Sequence, residues 1–199
     1  MRVAKDHRPV IRKAAARLFG HRRFDEVLID DVASAAGVAK GTIYRFYRNK
    51  EELYADICLS SLEDLNSRLS DLARGTESAQ VRLRQMIECV AEHFGHNRDF
   101  FHVMLQEWGG AWSKKRAAFL ASRQDAVKIF ARVIRDGQKD GAFTGTDAYT
   151  SADMLLGMIR SMVRFGDPKL SPQNVAETIL SIFLFGILTR KKETADERR

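Results

Sequence analysis

The stretch Ile29–Tyr47, IDDVASAAGVAKGTIYRFY, decides how this chain folds. Asp30-Asp31-Val-Ala-Ser-Ala-Ala36 reads as a short, alanine-rich helix. Gly37 ends it, because only glycine enters the left-handed conformation past a helix end freely. A second short helix follows from about Ala39 to Phe46. Val32, Ala33 and Val38 supply small apolar contacts that let the two helices pack closely. Ile43 is expected to point back toward the first helix, with Phe46 a candidate for the same side. Lys40, Gly41, Thr42, Tyr44 and Arg45 then remain on the outer side. Two short helices joined by such a turn place the start of the second in the major groove of duplex DNA. Arg45 and Lys40 can donate to guanine O6 and N7, and the Thr42 methyl can touch thymine. Tyr44, Tyr47 and Lys50 suit phosphates, as does the N-terminus of the helix that begins near Lys50.

Upstream, Ile11, Ala14, Ala15, Leu18 and Phe19 recur at the spacing of an amphipathic helix. Pro9 suits its first turn, where a missing N–H costs nothing. Downstream, Asn49-Lys-Glu-Glu52 resembles a capping box opening a long helix.

The charge points the same way. The 199 residues carry 33 Lys+Arg and 26 Asp+Glu, a net +7. Residues 1–50 hold 12 of the basic and 5 of the acidic side chains, so the whole excess lies there and the remaining 149 residues are neutral. Such asymmetry implies an N-terminal module that meets a polyanion and a body that does not. Arg2, Lys5 and Arg8 are candidates for a flexible arm. Two cysteines exclude a disulfide scaffold and lack metal-ligand spacing. The start has no apolar signal region. The longest strongly apolar run, Ile179–Leu188, has ten residues and is too short to span a bilayer. A soluble, cytoplasmic protein is the expectation.

The segment Phe24–Leu53 resembles the DNA-binding domain of TetR-type transcriptional repressors. The resemblance is carried by Leu18-Phe19 at the end of the first helix, Arg23-Phe24 at the turn, and Asp31-Val32-Ala33. It continues through Ala36-Gly37-Val38, Lys40-Gly41-Thr42-Ile43-Tyr44, the aromatics Phe46 and Tyr47, and Asn49-Lys50-Glu51-Glu52-Leu53. Two positions depart from the pattern. Leu28 and Ala39 stand where family members often carry hydroxyl residues that cap a helix, and losing such a cap typically costs about 0.5–2 kcal/mol. Asp30 is the expected substitute cap at the first of these.

The body reads as helix throughout, and no stretch alternates with period two. Helices are expected over Val81–Phe94, Phe100–Glu107, Trp112 to about Lys139, Asp147–Phe165, and Ser171 to about Arg190. Gly137, Gly141 and Gly145 are expected to break the third of these. The fold class is therefore all-α: a three-helix DNA-binding domain over residues 1–50, then a larger helical bundle over 51–199.

Met154, Met158 and Met162 repeat at helical spacing, and Phe101, Met104, Leu105, Trp108 and Trp112 crowd an earlier stretch. Core packing is the default for such stripes, but methionine also lines adaptable binding surfaces. The resemblance implies an effector pocket in this region, with His93 and Arg160 as candidate polar anchors. His93, His96 and His102 favour a surface helix end over a metal site, so no metal or cofactor is expected. Cys58 and Cys89 are expected to be small buried residues. The last helix is apolar nearly all round and should be covered on more than one side. This agrees with the family habit of dimerising through the last two helices, here about 148–165 and 171–189.

The implied function is a homodimeric repressor, bound to a pseudo-palindromic operator and released by an apolar or amphipathic small molecule. Two rivals stand against it. One is an effector-independent, architectural DNA-binding protein. The other is a helical enzyme, for which the sequence offers no nucleophile–base motif, phosphate loop or catalytic carboxylate pair.

Overall fold

A computed structural model describes residues 6–95, 111–145, 147–167 and 169–187, with backbone alone at 111–114 and 185–187. The described residues form α1 (Arg8–His21), α2 (Ile29–Ala36), α3 (Lys40–Phe46), α4 (Lys50–Ala73), α5 (Ala79–Gly95), α6 (Ala111–Lys139), α7 (Ala148–Phe165) and α8 (Pro172–Ile187), with a single 3-10 turn at Phe24–Glu26. The architecture is all-helical among these residues. The expected helix over Phe100–Glu107 lies outside them.

The chain divides into two compact units: residues 1–68 with 92–126, and 69–91 with 127–199.

In the first unit, Ile11, Ala15, Val27, Ile29, Val32, Ala33, Ile43, Tyr47 and Leu53 form one buried cluster. Leu18, Phe19, Val38 and Phe46 pack against it from partly exposed positions. The spacing read on α1 is thus its buried face. The turn between α2 and α3 takes its form from Gly37, at φ 65°. The Val38 N–H bonds to the Ala33 carbonyl at 3.0 Å and the Gly37 N–H to Ser34 at 3.2 Å, so the last carbonyls of α2 are satisfied as the chain reverses. A side chain at residue 37 would strain this conformation.

Side chains close several helix starts, while α3 begins after Ala39 with no side-chain cap. The Asp6 carboxylate accepts from the Arg8 N–H at 3.0 Å. Asn49 Oδ1 accepts from the Glu52 N–H at 2.8 Å, and Glu52 Oε2 reaches back to the Arg48 N–H at 2.8 Å. The capping arrangement read there is present, closing one residue further back than expected. At α2 the substitute is Asp31 rather than Asp30: its Oδ2 accepts from the Leu28 N–H at 3.3 Å. Asp30 is instead paired with Lys40 at 2.9 Å.

In the second unit, Leu69, Leu83, Met86, Ile87, Phe130, Ile134, Leu155, Ile159 and Ile179 are buried, and α7 packs on α8. Arg82 is buried among them. Its guanidinium donates to the Ala73 carbonyl at 2.7 Å, the Glu77 carbonyl at 3.1 Å and Asp136 at 3.1 Å. This ties the α4–α5 connection to α6, since a buried guanidinium is tolerated only when its donors are met.

Gly137 does not break α6, which runs on to Lys139. A Cβ at residue 137 would lie 2.3 Å from the Phe143 ring and 3.0 Å from Ala79, so this glycine makes room for a buried aromatic. Gly141, at φ 73°, is the residue that turns the chain out of the helix. Asp147 caps α7, accepting from the Thr150 N–H at 2.7 Å. No helix among the described residues is long and apolar enough to cross a membrane.

Candidate nucleic-acid interface and adjoining cleft

α3 has an inner side that is spoken for and an outer side that is open. Ile43 is 1% exposed and anchors the helix in the first unit's core. Lys40, Gly41, Tyr44 and Arg45 are exposed and Thr42 is half-buried. A Cβ on Gly41 would meet nothing among the described residues within 4 Å. The Arg45 guanidinium lies 5.1 Å from the Phe46 ring centroid, a cation–π contact that steadies a long side chain without using its donors. Arg8 approaches the same ring at 5.7 Å. Lys40 carries an exposed ion pair with Asp30, of the kind worth little in water and readily exchanged for a phosphate.

Tyr47 and Lys50, read as phosphate contacts, are turned inward. Tyr47 is 4% exposed and its hydroxyl donates to Asp56 Oδ2 at 3.0 Å. Burial, then the neighbouring Asp56 carboxylate, raises its pKa well above the ordinary tyrosine value, so it stays a hydrogen-bond donor. Lys50 Nζ donates to the Phe24 carbonyl at 2.7 Å and the Val27 carbonyl at 3.0 Å, and sits 4.2 Å from the Phe24 ring centroid. It fastens the α1–α2 connection to the start of α4.

A cleft of about 810 Å³ adjoins this domain within the same unit. Phe19, Tyr54, Ile57 and Cys58 line it together with Ser61, His93, Asp56 and Lys115. His93 Nε2 lies 3.1 Å from Ser61 Oγ. Cys58 is buried, which raises its thiol pKa and keeps it protonated. Cys89 is buried too, as expected.

Of the other residues expected at an effector pocket, Phe101, Met104, Leu105 and Trp108 lie outside the described residues, as does the Trp112 side chain. His96 and His102 do also. Met154, Met158 and Met162 belong to the second unit. They run along a flank of α7 beside its buried face; Met154 is 65% exposed, and Met158 and Met162 are half-buried. Arg160 is exposed.

Asp56, Arg12 and Lys115 were not singled out by sequence. The one available signal was an acid, Asp56, set between apolar neighbours in Tyr54-Ala-Asp-Ile-Cys58.

A helix pair with an anchored inner side, an open basic outer side and a glycine at its turn defines a helix-turn-helix DNA-binding protein. Residues 11–57 match the family model for bacterial regulatory proteins of the tetR family, and residues 76–187 match the tetracyclin repressor-like C-terminal domain. The chain belongs to the TetR family of transcriptional regulators. It is similar to the transcriptional repressor KstR2 of Mycobacterium tuberculosis, at 25% identity over 87% of this chain and 88% of that protein. Among solved structures it resembles the TetR-family regulator PfmR of Thermus thermophilus, at 26% identity and a TM-score of 0.69, covering 90% of this chain and 99% of the other. It shares its fold with FadR of Bacillus subtilis, solved in complex with stearoyl-CoA, at 19% identity and a TM-score of 0.71, covering 90% and 98%.

Proposed function

We propose that this chain is a ligand-responsive, cytoplasmic, homodimeric repressor. Residues 1–50 serve as its DNA-binding module and 51–199 as its effector-binding and dimerisation domain. The observation that carries the reading is the two-sidedness of α3: Ile43 buried, Lys40, Gly41, Tyr44 and Arg45 presented together.

On this reading Arg45 and Lys40 address base edges, Thr42 offers its methyl group to a thymine, and Tyr44 meets a phosphate. The bare Cα of Gly41 lets the DNA backbone come close. Tyr47 and Lys50 serve the interface by holding α3 and its neighbouring turn in place.

Dimerisation through α7 and α8 is supported by what a lone chain leaves exposed there. Met154 is 65% exposed, Phe165 74% and Ile182 58%. Large apolar side chains grouped on two adjoining helices mark an association surface. A two-fold dimer presents two copies of α3 to an inverted repeat.

The effector is an apolar or amphipathic small molecule. The cleft beside Ser61 and His93 sets an apolar stretch, Phe19, Tyr54 and Ile57, against a strongly charged lining that includes Arg12, Lys13, Asp64 and Lys115, a division that suits a ligand with an apolar part and a charged part. The stearoyl-CoA of the FadR complex makes acyl thioesters the first class to screen. Release requires that the ligand bind the two states unequally, with a coupling of about 1–3 kcal/mol.

Selection of duplexes from a random pool tests the reading. It should enrich an inverted repeat whose half-sites lie about one helical turn apart, roughly 10 bp or a multiple. Enrichment of no sequence would contradict it.

A further inference from the structure

Asp56 lies on α4, nearly two turns into the helix that follows the reading head, and it collects contacts from three other places in its unit. Its Oδ2 accepts from the Tyr47 hydroxyl at 3.0 Å. Its Oδ1 accepts from Lys115 Nζ, on α6, at 2.9 Å. Arg12 Nε of α1 stands 3.6 Å from Oδ2. Lys115 also reaches the Glu52 carbonyl at 3.4 Å. Tyr47 is the residue that ends α3, its N–H closing on the Ile43 carbonyl at 2.9 Å. Both charged partners are largely shielded from solvent, with the Lys115 side chain 20% exposed and that of Asp56 31%.

We propose that Asp56 is a positioning residue that wires the start of α6 to the end of the reading helix, with Lys115 as the contact by which α6 acts on α3. The physical basis is competition for one carboxylate. Its two oxygens hold Tyr47, Lys115 and Arg12 at once, and each donor's share of the charge depends on the others. Withdrawing Lys115 frees the carboxylate to turn toward Arg12 and slackens its hold on the Tyr47 hydroxyl. Arg12, beyond hydrogen-bond distance now, has room to close in. A displacement of the α6 start is therefore felt at Tyr47 and at α1, the two elements that seat α3. α6 runs from residue 111 to 139, so its first turns move with the rest of that helix.

The proposal rests on α3 being the reading helix only for its consequence; the wiring itself is measurable without DNA. Amide hydrogen exchange is followed on the full chain for Lys115→Met, Asp56→Asn, the double variant and Lys115→Arg. Lys115→Met leaves Asp56 the Tyr47 hydroxyl and the nearby Arg12 cation, so the fold persists. Exchange at residues 43–47 is expected to quicken at least about threefold in Lys115→Met, and to quicken no further when it is added to Asp56→Asn. Lys115→Arg should restore protection at 43–47. Lys13→Met, at the rim of the same cleft, should leave that segment unchanged. Acceleration confined to the surroundings of residue 115, or equal in the presence and absence of the Asp56 carboxylate, would overturn the proposal. If the wiring is present but no duplex is selected from a random pool, the DNA-reading assignment fails and the wiring stands.

Discussion

Lys50 Nζ donates to the carbonyl of Phe24 at 2.7 Å across 26 residues of sequence. This bond, with its companion to Val27 at 3.0 Å, ties the turn before α2 to the first residue of α4. A lysine that reads as a phosphate ligand is thus part of what sets the pose of the helix-turn-helix.

The consequence separates Lys50 from Arg45. Lys50→Met should lower the stability of the chain by about 2 kcal/mol, since it strands two carbonyls and a ring face. Arg45→Ala should leave stability within about 0.5 kcal/mol, as surface changes do, and relax preference at one base position. Urea unfolding paired with binding to a panel of single-base operator variants checks both. Equal stability loss in the two variants would contradict this division.

Gly41→Ala should move stability and DNA affinity in opposite directions. A Cβ there meets nothing among the described residues, and alanine is favoured over glycine within a helix by about 0.5–1 kcal/mol. The methyl group would instead stand between α3 and the duplex. A raised thermal midpoint with operator affinity reduced at least about tenfold is expected.

Arg82→Met should be among the most damaging substitutions outside α3. It removes the donors of two carbonyls and leaves Asp136 without its cation, at a cost of about 3 kcal/mol. Denaturant unfolding of the full chain measures this, and Arg82→Lys should recover only part of it, because an ammonium cannot replace the guanidinium fork.

Asp147 gives α7 an acid-sensitive end. The Thr150 N–H, then its hydroxyl, hold the carboxyl below its ordinary value of 3.8. A depressed folded-state pKa means the cap contributes fully above that ordinary value and is lost as pH falls through the lower, folded one. Amide exchange at Thr150 should therefore rise, relative to intrinsic rates, only below about pH 4. Asp147→Asn, which keeps an oxygen acceptor but no titrating group, should flatten that response.

These residues also show what the sequence discloses and what it hides. The α2–α3 pair was legible because each of its features is local: Gly37 for the turn, Val32 and Ile43 for the packing, Asn49 for the next cap. The length and phase of α5, α6 and α7 followed from apolar spacing for the same reason. Tyr47 and Lys50 misled because their partners are distant or unremarkable in sequence. Asp56 lies nine residues beyond Tyr47, and the carbonyls of Phe24 and Val27 leave no trace in side-chain chemistry. Gly137 read as a helix break, since its true reason is the ring of Phe143 folding back upon it. The methionine stripe was correctly periodic, but spacing carries no information on what a helix flank packs against.

The central claim is that α3 reads sequence and does not merely hold DNA. The most direct measurement is the affinity of the full-length protein for its selected duplex against random duplex at physiological salt. A preference of at least about 10³ is predicted, because base contacts from Arg45 and Lys40 add to a phosphate term common to both. Equal affinity for the two duplexes, falling with salt along the same slope, would contradict it and make this an architectural DNA-binding protein.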